Sequence, residues 1–146
     1  MTSLFEAQTK TDVINALKRG AKINEIIDET TPLYVACENG NWEVVDALLN
    51  NGANPLIRDG IKSGPIQNAA KNGYVDIVER LLQAGVNIND DTNGTPLYYA
   101  SVKGNIDVIN FLLSKGADID FVSFDGTPLM GACRYGRQKS YRASAV

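Results

Sequence analysis

The stretch TPLYVACENGNWEVVDALLNNGAN, residues 31–54, decides the fold of this chain because the chain repeats its pattern. Each copy opens on a proline, and these prolines stand at positions 32, 65, 96 and 128, which gives steps of 33, 31 and 32 residues. A small residue and then a glycine follow each proline, and the first three copies close on NNGAN, QAGVN and SKGAD. A constant period of this size is typical of repeat proteins, in which each unit buries its apolar face against the next.

Each unit predicts two short helices separated by a glycine. Proline in the first helical turn loses no hydrogen bond, and the threonine before it, as in Thr31-Pro32, can cap the free N–H groups. The glycines at 40, 73 and 104 are expected to end the first helix, since the left-handed conformation found there favours a residue without Cβ. The second helix carries apolar residues at i, i+1, i+4 and i+5, as in Val44, Val45, Leu48 and Leu49, which predicts one buried stripe.

This pattern resembles the ankyrin-repeat family, whose units read DxxGxTPLHxAAxxGHxxIVxxLLxxGAD, and the resemblance covers residues 12–136. It implies an all-α solenoid of stacked helix–turn–helix units with projecting, β-hairpin-like finger loops. It divides the chain, as one ankyrin-repeat domain over residues 1–146, into an N-terminal capping unit, three full repeats and a partial capping repeat, at 1–30, 31–62, 63–94, 95–126 and 127–146. Leu4, Phe5 and Ala7 would form the abbreviated first inner helix.

The chain departs from the family at the histidine that follows TPL. The four equivalent positions hold Tyr34, Gln67, Tyr98 and Met130, and the chain contains no histidine. We therefore expect each repeat to lose one stabilising hydrogen bond, worth about 1 kcal/mol, which tyrosine replaces in part.

A second departure is the end of the chain. Gly136 aligns with Gly104, so a second helix is expected in residues 137–145, but Ser140, Tyr141, Ser144 and Ala145 stand where the apolar stripe should be. An end repeat must be soluble on one side, which predicts a short capping helix with Tyr141 and Ala145 facing inward. A cut through a longer protein and a loose tail are the alternatives.

No group of residues in the sequence indicates chemistry. Without histidine the chain cannot form a Ser-His-Asp or Cys-His arrangement or a histidine-based zinc site. Cys37 and Cys133 occupy the same repeat position, where we expect small, buried apolar filler. Ordinary turn chemistry explains the acidic pairs Asp28-Glu29 and Asp90-Asp91. We therefore predict no enzyme activity, no cofactor and no metal site. Asn24 and Asn89 match a position at which some ankyrin repeats are hydroxylated, although ordering of the hairpin is the favoured interpretation.

Charge and composition restrict the cellular setting and the partner. The net charge is −3, which argues against nucleic acid as a partner, although four basic and no acidic residues follow Cys133. No apolar run approaches the roughly 18 residues of a membrane helix, and the N-terminus does not resemble a signal peptide. We expect a monomer that does not insert into membranes. Two cysteines without a secretory signal favour an intracellular, cytoplasmic location, or a host cell if the protein is an effector.

The sequence therefore predicts a protein–protein interaction module whose partner protein is unidentified. By the family resemblance, the partner would contact the finger tips and the exposed side of the inner helices. The finger candidates are Ile27, Arg58, Ile61, Lys62, Phe121 and Phe124. The inner-helix candidates are Glu38, Asn39, Lys71, Asn72, Lys103, Arg134 and Tyr135. The alternative is an N-terminal, substrate-recruiting segment of a larger enzyme or effector, and a weaker third possibility is a structural spacer.

Overall fold

The computed structural model describes residues 3–57 and 63–144, with side chains described as far as residue 136. A 3₁₀ helix, Leu4–Glu6, precedes eight α-helices in the described residues. They are α1 (Lys10–Lys18), α2 (Pro32–Asn39), α3 (Trp42–Asn50), α4 (Pro65–Lys71), α5 (Val75–Gln83), α6 (Pro96–Lys103), α7 (Ile106–Ser114) and α8 (Pro128–Ser144). All of these elements are helical, as predicted. None of the described helices is long and apolar enough to cross a membrane.

The helices alternate between two layers. The inner helices α2, α4, α6 and α8 pack against one another in that order, and the outer helices α1, α3, α5 and α7 form the second layer. The core lies between the layers and buries much of the predicted stripe of the outer helices, including Val45, Leu48, Val78, Leu81 and Leu112. The last stripe position is less covered, since Leu49 is half-buried and Leu113 is exposed. A fully buried aliphatic side chain of this kind contributes about 1.5–3 kcal/mol, so the stack is held together mainly by this seam.

Threonine, proline and glycine delimit α2 and α6 as predicted, whereas α4 begins after Gly64 without a side-chain cap and ends at Lys71, with Asn72 between it and Gly73. The hydroxyl oxygens of Thr31 and Thr95 accept hydrogen bonds from the N–H groups of Tyr34 and Tyr98, at 3.2 and 3.1 Å. Gly40 and Gly104 end α2 and α6 in the left-handed conformation, with φ of 70° and 66°. A tyrosine ring of the following unit lies against each of these glycines, which leaves no room for a side chain.

The N-terminal end of the stack is closed by a small capping unit. Thr9 and Asp12 form a capping box at the start of α1, and Leu4 and Val13 are buried. The backbone N–H of Lys10 donates to Glu43 Oε1 at 2.9 Å, and Asn41 Nδ2 donates to the carbonyl of Gln8 at 2.8 Å. These bonds join the capping unit to the start of α3.

The predicted break at Gly136 is wrong. Helix α8 has 17 residues and runs through Gly136 to Ser144, whereas α2 and α6 have 8 residues each and end at their glycine. Residues 137–144 lack the apolar stripe of the other outer helices, so a turn at Gly136 would gain little burial against the core. The expected inward orientation of Tyr141 and Ala145 lies outside the described side chains.

The expected loss of the family's histidine bond is wrong at Gln67. Its Nε2 donates to the carbonyl of Asp90 at 2.8 Å, to Asp90 Oδ2 at 2.9 Å and to the carbonyl of Gly94 at 3.2 Å. Tyr98 also has a polar partner, since its hydroxyl accepts from Arg134 Nη1. Glutamine therefore ties the start of α4 to the loop that precedes α6, where histidine is absent.

The two cysteines differ although they share a repeat position. Cys37 is buried, as predicted, and burial raises the pKa of its thiol strongly. Cys133 is exposed, so the prediction of a buried filler is wrong there. The reason is that α8 is the last helix of the described stack, and no described residue packs over its far side.

Candidate binding surface

Four finger loops project from the stack between an outer helix and the next inner helix. We call them finger 1 (residues 21–30), finger 2 (53–63), finger 3 (86–94) and finger 4 (117–126), and residues 58–62 of finger 2 lie outside the described residues. Asn24 Oδ1 accepts from the N–H of Asn54 at 2.8 Å, which ties finger 1 to finger 2. Asn89 Oδ1 accepts from the N–H of Asp118 at 2.9 Å, which ties finger 3 to finger 4. The prediction that both asparagines order the hairpins is confirmed.

Fingers 1 and 4 end in equally tight turns. The backbone N–H and C=O groups of Ile27 and Thr30 bond each other at 2.9 and 3.0 Å, and those of Ser123 and Gly126 do so at 3.1 Å. In finger 1, both central residues adopt positive φ, 51° at Asp28 and 62° at Glu29. A turn this tight directs the central side chains away from the backbone bonds and into solvent.

The apolar residues predicted at these tips differ in exposure. Phe124, a central residue of the finger 4 turn, is 91% exposed, and Ile27 is also exposed. Phe121 is half-buried nearer the base of finger 4. Phe124 thus offers nearly a whole aromatic ring to solvent, and aromatic side chains are enriched among the residues that dominate binding energy. Its role in binding stays a prediction.

Three finger candidates, Arg58, Ile61 and Lys62, lie outside the described residues. The residues just before them are Leu56, which is exposed, and Ile57, which is half-buried.

The inner-helix candidates lie at the C-terminal ends of the inner helices. Those that are exposed are Glu38, Asn39, Lys71, Asn72, Lys103 and Arg134. Two of them have internal partners, because Asn72 Nδ2 donates to the carbonyl of Asn68 at 2.9 Å and Arg134 donates to the Tyr98 hydroxyl. Tyr135 is half-buried, and its ring lies against Gly104, so part of its surface is used for packing between units.

Sequence reasoning missed Tyr99, which connects fingers 3 and 4. Its hydroxyl donates to the carbonyl of Asn93 at 2.5 Å and lies 3.5 Å from Asp125 Oδ2. Burial, followed by the negative charge of Asp125, raises the pKa of Tyr99 to about 12. The ring of Tyr98 meets that of Tyr99 edge to face, with centroids 5.5 Å apart. The sequence signal that could have revealed this contact is the pair Tyr98-Tyr99, which stands where the family has histidine followed by a variable residue.

Fingers 1, 3 and 4 are mainly acidic and three inner helices carry an exposed cation, although Lys22 lies in finger 1 and Glu38 lies near the end of α2. Fingers 1, 3 and 4 carry the carboxylates of Glu25, Asp28, Glu29, Asp91, Asp118, Asp120 and Asp125, while Lys71, Lys103 and Arg134 lie at the inner-helix ends. Among the described residues, no group of three or more potential ligands is placed to hold a metal ion. The described surface therefore offers shape, charge and exposed apolar side chains, which are the means of recognising another macromolecule.

Comparisons with known proteins agree with this architecture. Family models described as "Ankyrin repeats (3 copies)" and "Ankyrin repeat" match residues 57–123 and 28–60. The crystal structure of the human ASB11 ankyrin repeat domain superposes with a TM-score of 0.81 at 34% sequence identity, over 90% of this chain and 62% of that chain.

Curated relatives are longer than this chain. The putative ankyrin repeat protein FPV014 of fowlpox virus is 33% identical over 137 residues, which is 90% of this chain and 31% of the relative. The E3 ubiquitin-protein ligase XB3 of rice is 38% identical over 63 residues, which is 43% of this chain and 14% of the relative. The chain thus spans less than a third of either relative.

The fold defines a solenoid of helix pairs with projecting loops, a class built for protein–protein interaction. The chain belongs to the ankyrin-repeat family.

Proposed function

We propose that this chain recognises a partner protein through the row of finger tips and the exposed ends of the inner helices, and that it carries out no chemistry itself. The observation that supports this most is Phe124, a large aromatic side chain that is 91% exposed on a turn closed by two backbone hydrogen bonds. An exposed ring of this size on a soluble surface favours a contact role, because burial of such a ring in an interface is strongly favourable.

The order of the finger row favours the same proposal. Hydrogen bonds made by the side chains of Asn24, Gln67 and Asn89 hold the loops before any partner arrives. A surface that is already ordered loses less conformational entropy on binding, so more of the contact energy becomes affinity.

The remaining parts of the proposal follow from the sequence. We propose a cytoplasmic monomer that binds no nucleic acid and needs no cofactor, with the unit boundaries given at the outset. Asp28, Glu29 and Asp91 at the tips would repel phosphate groups and favour a partner segment with basic residues.

A second candidate function is recruitment of substrates for a catalytic domain of the same protein. It is favoured by the relatives that are E3 ubiquitin-protein ligases, of which this chain matches a minor part. Deleting residues 1–136 from the full-length protein separates the two candidates. Recruitment predicts that a captured protein is no longer modified, whereas simple binding predicts no modification in either form.

The test of the surface is partner capture by the full chain with matched variants. Phe124→Asp should reduce recovery of the specific partner at least tenfold. Ile106→Asp, which replaces another exposed apolar residue at the start of the outer helix α7, should leave recovery within twofold of the wild type. Circular dichroism should give the same helix content for all three proteins. Equal recovery with Phe124→Asp and Ile106→Asp would remove the finger surface from the proposal.

A further inference from the structure

The last unit of the stack exposes residues that the other units bury. Leu129 follows the helix-initiating proline of α8, as Leu33, Ile66 and Leu97 do in the other inner helices. Those three side chains are 1%, 1% and 2% exposed, whereas Leu129 is 71% exposed. These four residues share a repeat position, so the difference comes from what covers them and not from their chemistry.

Neighbouring positions follow the same trend. Ile119 of finger 4 is exposed, while its equivalents Ile23 and Ile88 are half-buried. Ala132 is exposed, although its counterpart Ala100 is fully buried. Together these residues border an apolar groove of about 210 Å³, lined mainly by Leu97, Ile109, Leu113, Ile119, Leu129 and Ala132.

The position of the groove explains its origin. It lies between the outer helix α7 and the inner helix α8, next to α6. In each of the three full repeats the chain turns at a glycine and returns as an outer helix, but α8 continues as one helix past Gly136. The groove is therefore the place that an outer helix occupies elsewhere in this stack.

The other units define what fits there. Helices α3, α5 and α7 each have 9 residues and carry an apolar pair, Val44-Val45, Ile77-Val78 or Val108-Ile109, that recurs four residues later. The first residue of each pair is fully buried in all three helices. We propose that the groove between α7 and α8 is a docking site for an amphipathic α-helix of another protein, about three turns long, with apolar residues at i, i+1, i+4 and i+5. Asp118 and Asp120 flank Ile119 in finger 4, which favours a basic residue at the end of the docked helix nearest that finger.

Two other occupants fit less well. The chain's own residues 140, 141, 144 and 145 are Ser, Tyr, Ser and Ala, so they supply one large side chain where α3, α5 and α7 each supply four. A second copy would bring two α8 helices together, and each α8 carries Arg134, Arg137, Lys139 and Arg142 without an acidic residue. Repulsion between those charges opposes pairing of the two ends.

The experiment uses the full chain and a synthetic helix that copies α7. A fluorescent peptide with the sequence of residues 105–117, NIDVINFLLSKGA, is cross-linked on its polar face, because an isolated helix of this length is only marginally stable. We expect one peptide to bind per chain and Leu129→Asp to weaken binding at least tenfold. Ile106→Asp is the matched control for an exposed apolar residue outside the groove, and Phe124→Asp is the control for the finger surface. Both should stay within twofold of the wild type.

Four results would overturn the proposal. The first is absence of peptide binding by the wild type. The second is equal weakening by Leu129→Asp and Ile106→Asp. The third is a dimer in analytical ultracentrifugation that Leu129→Asp dissociates, since a second copy would then fill the groove. The fourth is a tenfold or greater gain in peptide affinity on deletion of residues 137–146, which would mean that the chain's own end covers the groove. Because Phe124→Asp is tested in parallel, failure of this site is distinguishable from failure of the finger surface.

Discussion

The two ends of this stack are built from the same repeat but finish differently. At the N-terminal end, α1 buries Val13 and Ala16 against the next unit, and no large apolar side chain in the described residues before Ile26 is strongly exposed. At the other end, seven such side chains are exposed between Ile106 and Met130. A proline begins α8 as it begins the buried inner helices, so a helix-initiating proline alone does not close a stack. Closure needs an outer helix with an apolar stripe, which α1 provides and residues 137–144 lack.

The largest expected effect is on stability, and it differs between the interior of the stack and its open end at one repeat position. Leu97→Ala removes a side chain that is 2% exposed, and we expect it to lower the free energy of unfolding by about 2–5 kcal/mol. Leu129→Ala, with 71% exposure, should change it by less than about 0.5 kcal/mol. Urea unfolding followed by circular dichroism measures both. A loss above about 2 kcal/mol for Leu129→Ala would mean that the open end is covered in solution.

The next expected effect is the loss of stability when the residues at the family's histidine position lose their hydrogen bonds. Gln67→Leu keeps the volume but leaves the carbonyls of Asp90 and Gly94 without the Nε2 donor, and it should cost about 1–3 kcal/mol because these groups are largely buried. Tyr98→Phe removes only the acceptor of exposed Arg134, which water can replace, and should cost less than about 1 kcal/mol. Denaturant midpoints of the two variants give the order. The reverse order would mean that α8 is anchored more firmly than the middle of the stack.

Two glycines at one repeat position should respond with opposite signs. Gly104 has a φ of 66°, and an added Cβ would meet the Tyr135 ring at 2.5 Å, so Gly104→Ala should destabilise the chain by about 1–3 kcal/mol. Gly136 lies inside α8, with no described atom within 4 Å of an added Cβ. Gly136→Ala should therefore favour the helix by up to about 1 kcal/mol and raise the far-ultraviolet helix signal. Destabilisation by Gly136→Ala would indicate a turn there and contradict the straight α8.

The smallest effect is electrostatic and belongs to the closed end. Hydrogen bonds from the N–H groups of Gln8 and Thr9 lower the pKa of Asp12 in the folded chain. A lowered pKa means that the folded state binds fewer protons, so this stabilisation is complete above the unfolded pKa of about 4 and is lost as the pH falls through the folded pKa. Asp12→Asn should reduce the acid dependence of unfolding at about pH 2–4 without changing it near pH 7. An unchanged acid profile would show that the capping box does not contribute.

Most of the fold follows from local chemistry that the sequence displays. The Thr-Pro starts at residues 31 and 95 and the glycine stops at 40 and 104 depend on neighbouring residues alone, so their spacing predicts each helix pair. The exposure of Phe124 and Ile27 is also local, because a turn of four residues directs its side chains outward. These features need no knowledge of what lies across the stack.

What could not be predicted depends on contacts between residues that are distant in the sequence. Gln67 has no visible acceptor in the sequence, because the carbonyls of Asp90 and Gly94 come close only after the loop at residues 86–94 has folded back onto α4. Gly136 has the spacing of a helix stop, but a stop also needs a following segment that gains by burial. Cys133 was expected to be buried because it shares a repeat position with Cys37. The sequence shows this position, but it does not show that no helix in the described residues covers it.

The two native cysteines give the most direct measurement of the open end, because they share one repeat position and require no mutation. Under native conditions, a thiol reagent such as dithionitrobenzoate should label one cysteine per chain rapidly, and peptide mapping should assign it to Cys133. Cys37 should react only when the chain unfolds, since it is fully buried. Protection of both cysteines until unfolding, in the purified chain, would mean that the far side of α8 is covered. This result would contradict the claim that the stack is open at α8.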